Sequence, residues 1–339
     1  MKEPKITILG GGSWGTVLGH MAAVNQVDAT LWMRNKGLSD QINLNHINHE
    51  YIPSLTLSQD LKSTTSLEEA LSETQVVIMC VPSISFRQVL EDAFKFIPKE
   101  AFLISATKGI EEKGFKLMSQ VMEEVVGSSK SIGVLSGPNL ALEIAQGHLS
   151  GSVIASQNEA LKKSISKIYH TSTFRIYTSL DIFGVELGGA LKNIYALACG
   201  IADGLGAGEN TEGMIVTRGL AEMSRLAVAL GADPMTFLGL SGVGDLITTC
   251  SSPLSRNHAV GKFIGEGKSV NEALGLIGQT AEGLKTLKLV NDQLINLELK
   301  MPIVESLYRI IFENDPLNKS VEKLIGKDDL KDVEFSMNI

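Results

Sequence analysis

Lys5-Ile6-Thr7-Ile8-Leu9-Gly10-Gly11-Gly12-Ser13-Trp14-Gly15 joins a short apolar run to a G-x-G-x-x-G turn, and a helical pattern follows. The bare motif is a weak signal. A strand before it and a helix after it supply the setting in which such a turn binds a dinucleotide. Gly10 permits the tight turn, Gly12 lets a pyrophosphate approach the backbone, and Gly15 lets the helix pack on the sheet. The free amides that open the helix, with Ser13 and Trp14 among the first residues, then face the anion. The competing reading is a plain glycine-rich turn, with Trp14 packing against the second domain.

Outward from this stretch, β-rich runs alternate with amphipathic ones, the pattern of βαβ units and a mostly parallel sheet. Ala29–Met33, Val76–Val81, Phe102–Ser105, Ile132–Leu135 and Val153–Ala155 read as further strands. Val76–Val81 is continuously apolar, as expected of a strand buried on both faces. Ser66-Leu67-Glu68-Glu69 reads as a reciprocal capping box, and Phe115–Val126 as a helix. After about Leu180 the texture changes. Phe183–Ala202 and Thr211–Leu230 are long helical patterns, and Gly231 then Pro234 stops the second. The expected architecture is a Rossmann-like α/β domain over residues 1–180 and an all-α domain over 181–339. Ligand clefts favour such boundaries.

Composition narrows the function classes. The chain has 339 residues and a net charge of −8. That acidic balance argues against nucleic acid as a partner, since a phosphate backbone calls for a basic stripe. It leaves room for a small anionic substrate. Without an uninterrupted run of about 18 apolar residues no membrane span is expected, and without a basic, cleavable leader the expected location is the cytoplasm. Cys80, Cys199 and Cys250 are odd in number and far apart, which implies no disulfide framework. His46 and His49 lack the further ligands that a metal site requires.

The end of the second strand bears on the cofactor. An acidic residue about 20 positions beyond the glycine turn holds the ribose of NAD, but here the chain reads Leu31-Trp32-Met33-Arg34. Arg34 can meet a 2′-phosphate instead, so NADP(H) is favoured and NAD(H) remains possible.

Hydride chemistry on a ketone also needs a proton donor for the developing alkoxide. Lys192 is the outstanding candidate, in a helical pattern whose nearest charges in sequence are Glu186 and Asp203, with Asn193 beside it. It either snorkels to solvent or faces a cleft. Lys108, after Ile104-Ser105-Ala106-Thr107, ends a strand at the edge where open α/β sheets bind ligands. Ser136-Gly137-Pro138-Asn139 ends another. Gly137 allows close backbone approach, while Asn139 fits a helix cap equally well. Asp245, in Gly242-Val243-Gly244-Asp245-Leu246, is open to the same two readings. In Ser255-Arg256-Asn257, Arg256 can grip a phosphate with both arms of its guanidinium, and a helix start adds donors.

Taken together and in order, the Ser-Trp-Gly ending of the first turn, Thr107-Lys108-Gly109, Ser136-Gly137-Pro138, Leu191-Lys192-Asn193, Gly242–Leu246, Ser255-Arg256-Asn257 and Glu282-Gly283 resemble the bacterial-type NAD(P)-dependent glycerol-3-phosphate dehydrogenases over nearly the whole chain. The resemblance implies reversible reduction of dihydroxyacetone phosphate to sn-glycerol 3-phosphate, the entry to glycerophospholipids, by a homodimer. It implies that Lys192 is the acid/base and that Lys108, Gly137, Asn139, Asp245, Ser255, Arg256 and Asn257 surround the substrate. It puts Gly10, Gly12, Ser13, Trp14, Gly15, Arg34, Lys108, Ala141, Arg256 and Glu282 at the cofactor. The chain departs from the family at Asn139, where a small hydroxyl residue is usual, and at Gly11, where alanine is common.

Two other readings compete. An enzyme of similar build acting on a β-hydroxy acid needs a carboxylate site and no Ser255-Arg256-Asn257 loop. A non-catalytic NADP sensor binds cofactor without turnover and leaves Lys192 unexplained.

Overall fold

The computed structural model describes residues 4–127, 130–278, 281–317 and 320. The chain forms two compact units, one ending at Glu186 and the other starting at Leu187. The first is built on one eight-stranded sheet. In chain order its strands are β1 (Lys5–Leu9), β2 (Asp28–Trp32), β3 (Lys62–Thr64), β4 (Val76–Met79), β5 (Phe102–Ser105), β6 (Ile132–Ser136), β7 (Ser150–Ala155) and β8 (Phe174–Ser179). They lie side by side in the order β8-β7-β6-β5-β4-β1-β2-β3. All neighbours pair in parallel except β6 with β7. The strand order turns back between β1 and β4, and the carboxyl edge at such a switch point is where this architecture binds ligands.

Apolar side chains cover the sheet on both faces. Ile6, Ile8, Val76 and Ile78 join one buried cluster, while Leu9, Val77 and Met79 join the other. This explains why Val76–Met79 reads as unbroken hydrophobic sequence rather than as alternation. Helix α1 (Ser13–Val24) packs Val17, Leu18, Ala22 and Ala23 into the first cluster.

Several sequence expectations need adjustment. β3 has three residues, too few to show a period, and β8 lies at the sheet's far edge. The helix expected from Phe115 begins at Met118, because Lys116–Leu117 pairs with Ile110–Glu111 as a small hairpin. Arg87 holds that hairpin with a two-pronged bond to Glu111, at 2.8 and 2.7 Å. At Ser66 only half of the expected capping box forms. The Ser66 hydroxyl accepts from Glu69 N, but the Glu69 carboxylate takes the Thr64 hydroxyl at 2.5 Å. Thr64 in turn accepts from Ser66 N, so it occupies the place that Glu69 was expected to fill.

The second unit is helical among the described residues. Helix Ile182–Gly204 enters it from the first unit, and helices Glu209–Ala229, Asp245–Ser251, Arg256–Gly265, Val270–Ile277, Glu282–Leu297 and Pro302–Phe312 follow. The border falls inside the long helix, after its fifth residue. There the Glu186 carboxylate accepts from the Ser119 amide at 3.1 Å and from its hydroxyl, capping the first turn of helix Met118–Val126. Helix Ile182–Gly204 has the length and composition of a membrane span, yet 89% of its most apolar window is buried. Part of that burial is a glycine-lined crossing. A Cβ on Gly200 would stand 2.0 Å from the His258 carbonyl oxygen, and one on Gly261 would stand 2.2 Å from that of Leu197. Gly204 and Gly265 continue the crossing one turn further, so the two backbones approach more closely than larger residues allow.

Candidate active site

In the first unit the sequence-selected residues gather along the carboxyl edge of the sheet. Gly10 follows β1 with φ +130°. A Cβ there would lie 2.5 Å from the Cys80 carbonyl oxygen, and one on Gly15 would lie 2.0 Å from that of Gly10. Gly12 differs from both. Among the described residues no atom comes within 4 Å of the position where its Cβ would stand. Helix α1 begins there with no side-chain cap and no acidic residue in its first turn. Internal packing therefore explains Gly10 and Gly15, whereas the space beside Gly12 and the uncapped amides fit a dinucleotide pyrophosphate. The Ser13 hydroxyl donates to Tyr51 O at 3.0 Å. Trp14 packs on the first unit's own core, and its buried indole N–H has no hydrogen-bond partner among the described residues.

Arg34 is exposed just past β2. Asn35 caps helix Lys36–Asn45 by accepting from Leu38 N. Lys36, which the sequence reading passed over, is exposed at the start of that helix, so two cations flank the cap. A second basic residue two positions after Arg34 was the available signal.

Lys108 follows β5 and is half-buried, and its ammonium donates to Gly137 O at 3.0 Å. Gly137 follows β6 with φ +145°. Its missing Cβ leaves room for Ser152, whose Cα would be 3.1 Å away. Ser152 donates to the Asn139 side-chain oxygen at 2.5 Å, which fixes the orientation of the amide. The Asn139 Nδ2 is buried and has no acceptor among the described residues. Asn139 is therefore not a helix cap. Leu140 occupies that position before helix Ala141–Ala145, with Ala141 first in the helix.

In the second unit Lys192 does not snorkel. It is 6% exposed, and its ammonium donates to the Asp245 carboxylate and, at 2.5 Å, to the Thr249 hydroxyl. Asp245 is wholly buried in the first turn of helix Asp245–Ser251. Thr249 lies one turn further, with its hydroxyl also donating to Asp245 O at 2.6 Å. Residues four apart share a helix face, so Asp245 and Thr249 meet the lysine together. The sequence neighbours of Lys192 have other partners: Glu186 caps a helix of the first unit, and Asp203 pairs with Lys262 at 3.0 Å. Thr249 escaped sequence reading because nothing in one dimension pairs residue 249 with residue 192.

The same long helix anchors the phosphate-loop candidates. Asn257 donates to the Asn193 side chain at 2.9 Å and accepts from Gly283 N at 3.0 Å. Ser255 caps helix Arg256–Gly265 by accepting from His258 N. Arg256 is exposed in that helix's first turn, and Glu282 opens helix Glu282–Leu297 beside Gly283. Lys192, Asn193, Asp245, Asn257 and Gly283 thus form one connected cluster. Among the described residues, no group of three or more His, Cys, Asp or Glu side chains is placed to hold a metal ion.

Residues 5–162 match the model of the NAD-dependent glycerol-3-phosphate dehydrogenase N-terminus, and residues 181–322 match that of its C-terminus. The chain belongs to the NAD-dependent glycerol-3-phosphate dehydrogenase family. It is 47% identical to the glycerol-3-phosphate dehydrogenase [NAD(P)+] of Alcanivorax borkumensis, over 97% of this chain and 96% of that protein. With the enzyme of the same name from Acinetobacter baylyi it shares 46% identity, over 98% and 92%. Among solved structures, the glycerol-3-phosphate dehydrogenase of Coxiella burnetii superposes with a TM-score of 0.92 at 34% identity, covering 96% of this chain and 99% of that one. Both halves of the family are therefore present in this chain, and the two site clusters fall one in each.

Proposed function

We propose that the chain catalyses the reversible NAD(P)H-dependent reduction of dihydroxyacetone phosphate to sn-glycerol 3-phosphate, feeding glycerophospholipid synthesis. The observation that carries the reading is the buried Lys192–Asp245–Thr249 cluster, together with membership of the family. When bound, the nicotinamide supplies the hydride in one direction and accepts it in the other. Lys192 does the proton work. As hydride reaches the carbonyl carbon, the ammonium stabilises the anionic oxygen and passes it a proton. In the reverse direction the neutral amine removes the hydroxyl proton. Asp245 and Thr249 hold the lysine nitrogen in place for both tasks.

Arg256, with Ser255 and Asn257, grips the substrate phosphate, and Lys108, Gly137 and Asn139 contact the substrate. The unpartnered Asn139 amide suits an acceptor oxygen, since a buried N–H without one is costly. Gly10, Gly12, Ser13, Trp14 and Gly15 take the dinucleotide, with Lys108, Ala141, Arg256 and Glu282 completing its contacts. Arg34 favours NADP(H). In this reading residues 1–180 hold most of the dinucleotide contacts and residues 181–339 supply the acid/base and the phosphate grip, in a cytoplasmic homodimer.

Removing Lys192 alone strands a buried carboxylate, a change that costs about 3–5 kcal/mol in other proteins. The informative variant is therefore Lys192→Met combined with Asp245→Asn. Cofactor fluorescence should report near-parental NADPH binding, while turnover should fall at least about 10²–10⁴-fold. Near-parental turnover would remove Lys192 from the chemistry. Joint loss of binding and fold would make it a structural lysine.

A further inference from the structure

The hairpin formed by Ile47–Asn48 and Ile52–Thr56 lies against the glycine turn, and one buried side chain of the hairpin bonds to the turn's backbone. Asn48 has no exposed surface. Its Nδ2 donates to Gly11 O at 3.0 Å and to the Thr16 hydroxyl at 2.8 Å, and its Oδ1 accepts from Tyr51 N at 3.2 Å. The Thr16 hydroxyl can also donate to Gly11 O, at 3.3 Å. From the far side of the turn, Ser13 donates to Tyr51 O at 3.0 Å. The result is a closed ring of bonds from Gly11 through Asn48 and Tyr51 to Ser13.

Building on the dinucleotide site proposed above, we infer that Asn48 is a positioning residue that orients the Gly11–Gly12 peptide for the pyrophosphate. In a trans peptide the C=O and the following N–H point in opposite directions. Asn48 holds the Gly11 carbonyl inward, so the Gly12 N–H points away from the hairpin. Of Gly10, Gly11, Gly12 and Gly15, Gly12 is the one with open space where a Cβ would stand. Glycine on both sides gives this peptide more intrinsic freedom to rotate than other residues would. An asparagine with both amide hydrogens committed to the turn removes that freedom before any ligand arrives.

The decisive substitution is Asn48→Asp, which keeps shape and burial and replaces two donors by an acceptor facing the Gly11 carbonyl. Fluorescence titration should show the NADPH Kd raised on the order of tenfold or more, the effect of a lost buried hydrogen bond and a misdirected amide. At saturating NADPH, kcat and the KM for dihydroxyacetone phosphate should stay within about twofold of the parent. Thr16→Val removes one of the two acceptors without adding charge and should raise the Kd in the same direction by a smaller factor. It decides the matter if Asn48→Asp does not fold, as judged by circular dichroism. An unchanged Kd in a folded variant, even with a lowered melting temperature, overturns the inference and leaves Asn48 as a hairpin residue only. Parental protein that binds NADPH tightly but never turns over would contradict the proposed reaction, and these binding titrations would still read the role of Asn48.

Discussion

Arg34 shows what one residue can say without a structure. Where NAD-binding folds carry a carboxylate at the end of the second strand, this chain carries an exposed guanidinium, and Lys36 adds a second cation. We expect Arg34→Ala to raise the KM for NADPH about tenfold or more, the scale of one charge-assisted contact. The KM for NADH should change by less than about twofold, and steady-state assays with each cofactor will compare them. Equal effects on both would take Arg34 away from the 2′-phosphate. Lys192 shows the opposite case. Its sequence context singled it out as a charge in an apolar helix, but the partners that make its burial tolerable, Asp245 and Thr249, lie more than fifty positions downstream. A buried ammonium needs a compensating charge, and sequence alone does not say which carboxylate supplies it.

At the scale of elements, the strands nearest the glycine turn were legible because sheets covered on both faces carry continuous apolar runs. β3 and β8 were not, one being too short and the other lying at the edge. Helix termini are held together in ways that only the folded chain reveals. Glu222, on helix Glu209–Ala229, accepts from Ile303 N at 2.7 Å and from the Tyr195 hydroxyl at 3.2 Å, capping helix Pro302–Phe312 from another element. Burial pushes its carboxyl up to about 7, against 4.5 for an ordinary glutamate. Below pH 4.5 the group is protonated whether the chain is folded or unfolded, and its contribution to stability is complete. As pH rises from 4.5 to about 7 the unfolded chain releases the proton while the folded chain keeps it, so that contribution is lost. Gln at this position does not titrate. The melting temperature of Glu222→Gln minus that of the parent should therefore climb by a few degrees across this interval and then level off. A difference that is flat with pH would contradict the assignment of this carboxyl.

Across the whole molecule, the change from alternating strands and helices to long helices was visible near residue 180. The compact units divide after Glu186, within a helix, and the Glu186 side chain is bonded to Ser119 of the first unit. A change in periodicity marks where the architecture changes, whereas contacts decide to which unit a turn of helix belongs. The motifs that pointed to the family are spread over both units; in the first Lys108 is bonded to Gly137, and in the second Lys192 is bonded to Asp245. The central claim is that the chain reduces a phosphorylated three-carbon ketone. NADPH oxidation followed at 340 nm, with dihydroxyacetone phosphate and with unphosphorylated dihydroxyacetone as substrates, tests it most directly. The kcat/KM for the phosphorylated ketone should be greater by at least about 10³-fold, since the phosphate contacts supply binding energy that the alcohol lacks. Equal rates with both ketones, or no oxidation with either by protein that binds NADPH, would contradict it.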